Sequence, residues 1–234
     1  MLDLRSVVIG LVLMLKKYTC VNLTIYEEAN EEDYKNGIML LPLIGLAMGF
    51  AAFIIGSFRY VYDGFFISSV LLLYYCLVTK TTTIKDVYRT LNFYIKPSNQ
   101  TENLSGILGT VLVLFMYFSL FRLVPLTSLI IMPAAGFSSL MIVGGVIKRD
   151  SENTAILKYC GKYHITAAFA IPFFFAALFN YKLIISLSLT FMAIAAGAGI
   201  LDKRVKNAPS SVEGFIIEIS QIIFLIITYL IRLG

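Results

Sequence analysis

The stretch Leu126–Ile147, LTSLIIMPAAGFSSLMIVGGVI, runs for 22 residues without a charged side chain. A hydrocarbon layer about 30 Å thick needs roughly 20 apolar residues at the helical rise of about 1.5 Å each. The stretch therefore reads as a helix that crosses a membrane, and the rest of the chain repeats the pattern. Further candidate spans are Gly37–Ser57, Tyr62–Thr79, Ile107–Phe121, Ile165–Phe179, Leu183–Leu201 and Gly214–Ile231. Tyr62–Thr79 and Ile165–Phe179 are short enough to require tilting or help from their flanks. Val7–Leu15, between Arg5 and Lys16, is too short to span and reads as an interfacial or half-inserted helix. It lacks a small-residue cleavage site, so a removable signal peptide is not expected.

Composition agrees. Hydrophobic residues make up 59% of the 234 and charged residues only 14%, with mean hydropathy +0.84; a soluble domain is nearer half apolar and a quarter charged. The expected fold is all-α, one polytopic bundle over residues 1–234, with loops at 80–105, 148–164 and 202–213. Fifteen of the 19 Lys and Arg fall in the N-terminal segment and those loops. Only Arg59, Arg122, Lys182 and Arg232 fall on the other side. The positive-inside rule makes the richer side cytoplasmic, with the C-terminus outside, and predicts a cytoplasmic (plasma) membrane protein. That asymmetry accounts for the net charge of +5 without nucleic acid. Cys20, Cys76 and Cys160 form no CxxC and no even set, and a single His164 cannot build a histidine metal cluster. The sequons at Asn22, Asn99 and Asn103 all lie on the cytoplasmic side and read as chance matches.

From Tyr34-Lys-Asn-Gly-Ile-Met-Leu-Leu-Pro42-Leu-Ile-Gly45-Leu-Ala-Met-Gly49 onward the chain resembles the cobalamin synthase family, the adenosylcobinamide-GDP ribazoletransferases. The likeness includes a short apolar segment ending in Lys16 and Lys17, and the acidic stretch Glu27, Glu28, Glu31, Glu32, Asp33. It closes with Lys203-Arg204 followed by Gly214-Phe-Ile-Ile-Glu218. Span number and loop sizes match along the whole chain. The resemblance implies a membrane-embedded transferase joining adenosylcobinamide-GDP to α-ribazole or its 5′-phosphate, releasing GMP with the help of Mg2+. It also implies corrinoid or nucleotide-phosphate ligands and partner enzymes of cobalamin assembly.

The family's acidic stretch after its second span is altered. Thr83 stands at its histidine, and Lys85, Arg89 and Asn92 at its acids; Asp86 is one step out of register. The later Asp-Ser-Arg-x-Gly-x-x-Gly element reads Glu102-Asn-Leu-Ser-Gly106-Ile-Leu-Gly109, and Ser211 replaces an aspartate. Metal candidates reduce to Asp86 and Glu102, so an impaired enzyme is expected. Ligand-binding candidates are Lys85, Asp86, Arg89, Glu102, Lys203, Arg204 and Glu218. Lys85 and Arg89, four apart, read either as fixed cations holding a phosphate or as ordinary loop charge. Glu218, near the cytoplasmic end of the last span, expects Lys203 or Arg204 as partner. Gly45 and Gly49 read as a helix-packing pair. The rival readings are a non-catalytic scaffold or partner subunit and a small transporter subunit. The transporter lacks support from internal repeats or polar mid-span segments.

Overall fold

The computed structural model describes residues 4–24, 28–95, 104–146, 159–202 and 209–233, with backbone alone for 199–202 and 233. These residues form α1 (Leu4–Tyr18), α2 (Glu31–Met39), α3 (Leu41–Ser57), α4 (Gly64–Val78), α5 (Thr82–Tyr94), α6 (Leu104–Leu123), α7 (Leu126–Val146), α8 (Lys162–Phe179), α9 (Tyr181–Asp202) and α10 (Val212–Leu233). A polytopic helical bundle is what the apolar runs called for. Among the described residues six helices are long and apolar enough to cross a membrane: α3 with the turn after it, α6, α7, α8, α9 and α10. The seventh expected span is the first arm of a bent pair, with α4 and α5 meeting at 83°.

The opening stretch became the core. Almost every residue of α7 is buried, including Leu129, Ile131, Ala134, Leu140 and Met141, and α3, α8, α9 and α10 pack around it. Gly45 and Gly49 lay α3 directly on the α7 backbone. A Cβ at Gly45 would come within 2.6 Å of the Ala134 nitrogen, and one at Gly49 would strike Ile130. The packing role expected of this glycine pair is met.

Two elements differ from their expected bounds. The short N-terminal helix is no free surface helix. Gly10 on α1 and Gly37 on α2 bring the two backbones together, and Met14 and Tyr18 are buried in the bundle. In the second span the helix starts at Gly64, where Asp63 caps it by accepting from the backbone N–H groups of Phe65 and Phe66. It stops at Val78 because Lys80 and Thr81 take positive φ values of 51° and 55°, a left-handed turn uncommon for non-glycine residues.

The charge partition is physical. Three outer cations donate to backbone carbonyls at one end of the bundle: Arg59 to Val124 (2.8 Å), Lys182 to Ile231 (3.4 Å) and Arg232 to Leu123 (2.6 Å). At the same end Arg122 sits 3.9 Å above the Phe65 ring. The opposite, basic end joins Lys17 to Glu213, Thr90 to Ser211, and His164 to the Lys35 carbonyl. Gly64 lies beside Arg122, while α5 packs on α10 at the basic end. So α4 reaches both ends with 15 residues, about 22 Å of helix.

Candidate functional site

The basic end holds a polar cleft built from three distant segments. On α5, Thr83, Val87 and Thr90 are buried against α10, and the Thr90 hydroxyl donates to Ser211 Oγ at 2.9 Å. Asp86 sits at the edge of that face. Gly214 lets α10 pass tightly there, since a Cβ at 214 would collide with the Asp86 carboxyl. One residue earlier Glu213 is 4% exposed. Its Oε2 is 2.7 Å from Lys17 Nζ and accepts a 3.4 Å hydrogen bond from Tyr18 Oη. Both partners come from the tip of α1, which is anchored where the Tyr18 ring meets Phe137 of α7 edge-on at 5.3 Å.

Electrostatics follow from this burial. The Asp86 carboxyl is pushed up to about 6, chiefly by desolvation and further by Glu213, against the opposing pull of Arg89, Lys17 and Lys85. Burial and the Glu213 carboxylate also push the Cys160 thiol up to about 12 and the Tyr18 hydroxyl well above its ordinary range. The cleft thus contains one fixed ion pair and one carboxyl with its proton equilibrium near neutrality.

A second polar group lies deeper. Glu218 is wholly buried. Its two oxygens accept from Tyr75 Oη (2.9 Å) and Tyr117 Oη (2.6 Å), and both hydroxyls also contact Gln221 Oε1 at 2.7 and 3.0 Å. This cluster ties α4, α6 and α10 together. The expected partners Lys203 and Arg204 lie outside the described residues, as does Glu102.

The remaining candidates spread out. Lys85 and Arg89 are exposed. Lys85 lines a groove between α5 and α6 with Thr81, Tyr88 and Thr110. Asn92 works as a cap: its Oδ1 accepts from the Gly106 backbone N–H (2.8 Å) and the Ser105 hydroxyl (3.1 Å) at the start of α6. Thr83 Oγ1 is buried facing the Glu218 carboxyl, without a well-formed hydrogen bond among the described residues. Among those residues no three His, Cys, Asp or Glu side chains gather into a metal-holding group. Among the described residues Asp86 and Glu213 are the cleft carboxylates, and Lys17 holds an oxygen of one.

No family model matches the chain and no solved structure matches it. It is 22% identical over 238 aligned positions to the adenosylcobinamide-GDP ribazoletransferase of Alkaliphilus oremlandii (strain OhILAs), covering 95% of this chain and 98% of that one. The likeness is distant and runs end to end. The chain is a helical bundle with several helices long and apolar enough to cross a membrane, distantly similar along its length to a ribazoletransferase.

Lys17, Tyr18 and Glu213 are the cleft residues that the candidate set lacked. A signal for two of them was present. Lys17 ends the apolar segment quoted for the resemblance, and Glu213 directly precedes the closing Gly214. Lys17 counts among the basic residues of the N-terminal segment, and Glu213 closes the 202–213 loop.

Proposed function

We propose that this protein acts on the substrates of its relative's reaction at the basic-end cleft, with reduced catalytic capacity. The substrates would be adenosylcobinamide-GDP and α-ribazole or its 5′-phosphate. In that exchange a ribazole hydroxyl attacks the phosphorus linked to cobinamide, the phosphoanhydride bond breaks, and GMP departs with the bonding electrons. The cleft contributes a carboxyl, Asp86, whose proton equilibrium near neutrality suits it to take the hydroxyl proton. Lys17 would offer positive charge to the phosphates. The observation that carries the reading is the convergence of the N-terminal basic segment, the α5 stretch and the Gly214 element at one cleft, in a chain colinear with the transferase. No role is assigned to Mg2+.

A second reading has its own support. Lys17 neutralises Glu213, and Asn92 serves α6 as a cap, so two positions that could serve a ligand serve the fold. This favours a non-catalytic partner subunit of corrinoid-handling enzymes. Purified protein given both substrates, with and without Mg2+, separates the two. Slow cobalamin formation that Asp86→Asn abolishes supports the transferase. No product together with co-purification of an active synthase supports the partner subunit.

A further inference from the structure

At the end opposite the cleft a cavity of about 250 Å³ opens between the starts of α7 and α9 and the last turn of α10. Lys182 and Arg232 line it, together with Asn180, Thr127, Ser186 and Thr228, and among the described residues no carboxylate does. Asp63 is the one acid in the described segments forming this end of the bundle, and its side chain caps α4. Two cations therefore share a small cavity without an opposing side-chain charge among the described residues.

Their hydrogen bonds leave donors over. Lys182 makes one long contact to the Ile231 carbonyl and Arg232 one to the Leu123 carbonyl. An ammonium has three donors and a guanidinium five. The wall adds to the bias. The N-terminal turns of α7 and α9, helices of 21 and 22 residues, both border the cavity with the positive ends of their dipoles, and the C-terminal turn of α10 meets them with its negative end. Ser186 and Thr228 hydroxyls are buried and donate back to their own helices, which leaves their oxygens as spectators and not as counter-charges. The positive-inside trend disfavours basic residues at this end, yet two of its four cations meet here.

We propose that this cavity is an anion site for a phosphate group, carried either by the headgroup of a phospholipid at that membrane surface or by a free phosphate ester. The site is separate from the basic-end cleft and stands whether or not the transferase reading does.

The test uses the full-length protein in detergent at constant ionic strength. Thermal unfolding is followed by circular dichroism with inorganic phosphate against chloride. Native mass spectrometry then compares retention of phosphatidylglycerol with that of phosphatidylcholine. The variants are Lys182→Gln, Arg232→Gln and Thr127→Val, with Arg59→Gln as a cation at the same end that does not line the cavity. Losing one charge-assisted contact should weaken phosphate or phosphatidylglycerol binding about tenfold or more, with a smaller loss for Thr127→Val and none for Arg59→Gln. A phosphate-specific stabilisation lost in the cavity variants assigns a free ester. Selective phosphatidylglycerol retention lost in them assigns a lipid. If neither probe is preferred by wild type, or if Arg59→Gln weakens binding as much as the cavity variants, the proposal fails. Should one charge variant not fold, the other and Thr127→Val give the same reading.

Discussion

Tyr117 and Glu218 meet at 2.6 Å and both are wholly buried, so each depends on the other. Tyr117→Phe removes a donor from a fully buried carboxyl and is expected to destabilise the protein by about 1–3 kcal/mol, read as a lower melting temperature in detergent. Tyr75→Phe should behave similarly, and the double variant should cost less than the sum because both hydroxyls serve one network. Asp86 makes a prediction of opposite sign. Its carboxyl is raised above the ordinary value of 3.8 to about 6, so the fold penalises the ionised form. That penalty is absent below about pH 4, grows through pH 6 and is complete above it. Asp86→Asn should therefore be more stable than wild type at pH 7–8, with the advantage fading as the pH falls to 4. An advantage independent of pH would mean that Asp86 is not held at that value. Glu218 was legible as a membrane-depth carboxylate, because one acid in an apolar run stands out in the sequence. Its tyrosine partners were not, since an aromatic in a span gives no sign of which helix its hydroxyl will meet.

The hairpin of α1 and α2 shows where element-level reading stopped. Nine apolar residues between basic ones gave a short non-spanning helix. The Gly10–Gly37 contact that pairs it with α2, and the descent of its tip to Phe137, depend on helices far apart in sequence. Lys17→Met should loosen that tip by removing the cation from the buried Glu213 carboxylate, at a cost of about 1–3 kcal/mol. Limited proteolysis in the α1–α2 connection should speed up, and adding Glu213→Gln should restore much of the protection. Unchanged proteolysis in Lys17→Met would show that Tyr18 and the glycine contact hold α1 unaided. For α3, the small-xxx-small spacing alone foretold close packing, and Gly49→Val should prevent folded protein from accumulating, because the Ile130 backbone cannot retreat.

For the whole molecule, if α4 crosses as well as the six longer helices, the crossings number seven and the two termini lie on opposite sides of the membrane. Reporter fusions at Lys96 and after Gly234 should report opposite compartments, with Lys96 cytoplasmic. Finding both on one side would mean that α4 turns back before crossing. The number of crossings was readable because each costs about 20 apolar residues, which composition cannot hide. The cleft was less readable: its ion pair joins residues 17 and 213, whose proximity is a product of folding and leaves no local periodicity.

The turn at Leu123 and Val124 accepts Arg59, from the connection after α3, and Arg232, from the last turn of α10. Early and late translation products thus converge on one pair of carbonyls in the middle of the chain. During synthesis Arg59 must wait for some 65 further residues, and the turn must wait for about a hundred more before Arg232 arrives. A nascent chain would remain open at this end until α10 enters. Quality-control proteases would meet a stalled chain at this unlatched end.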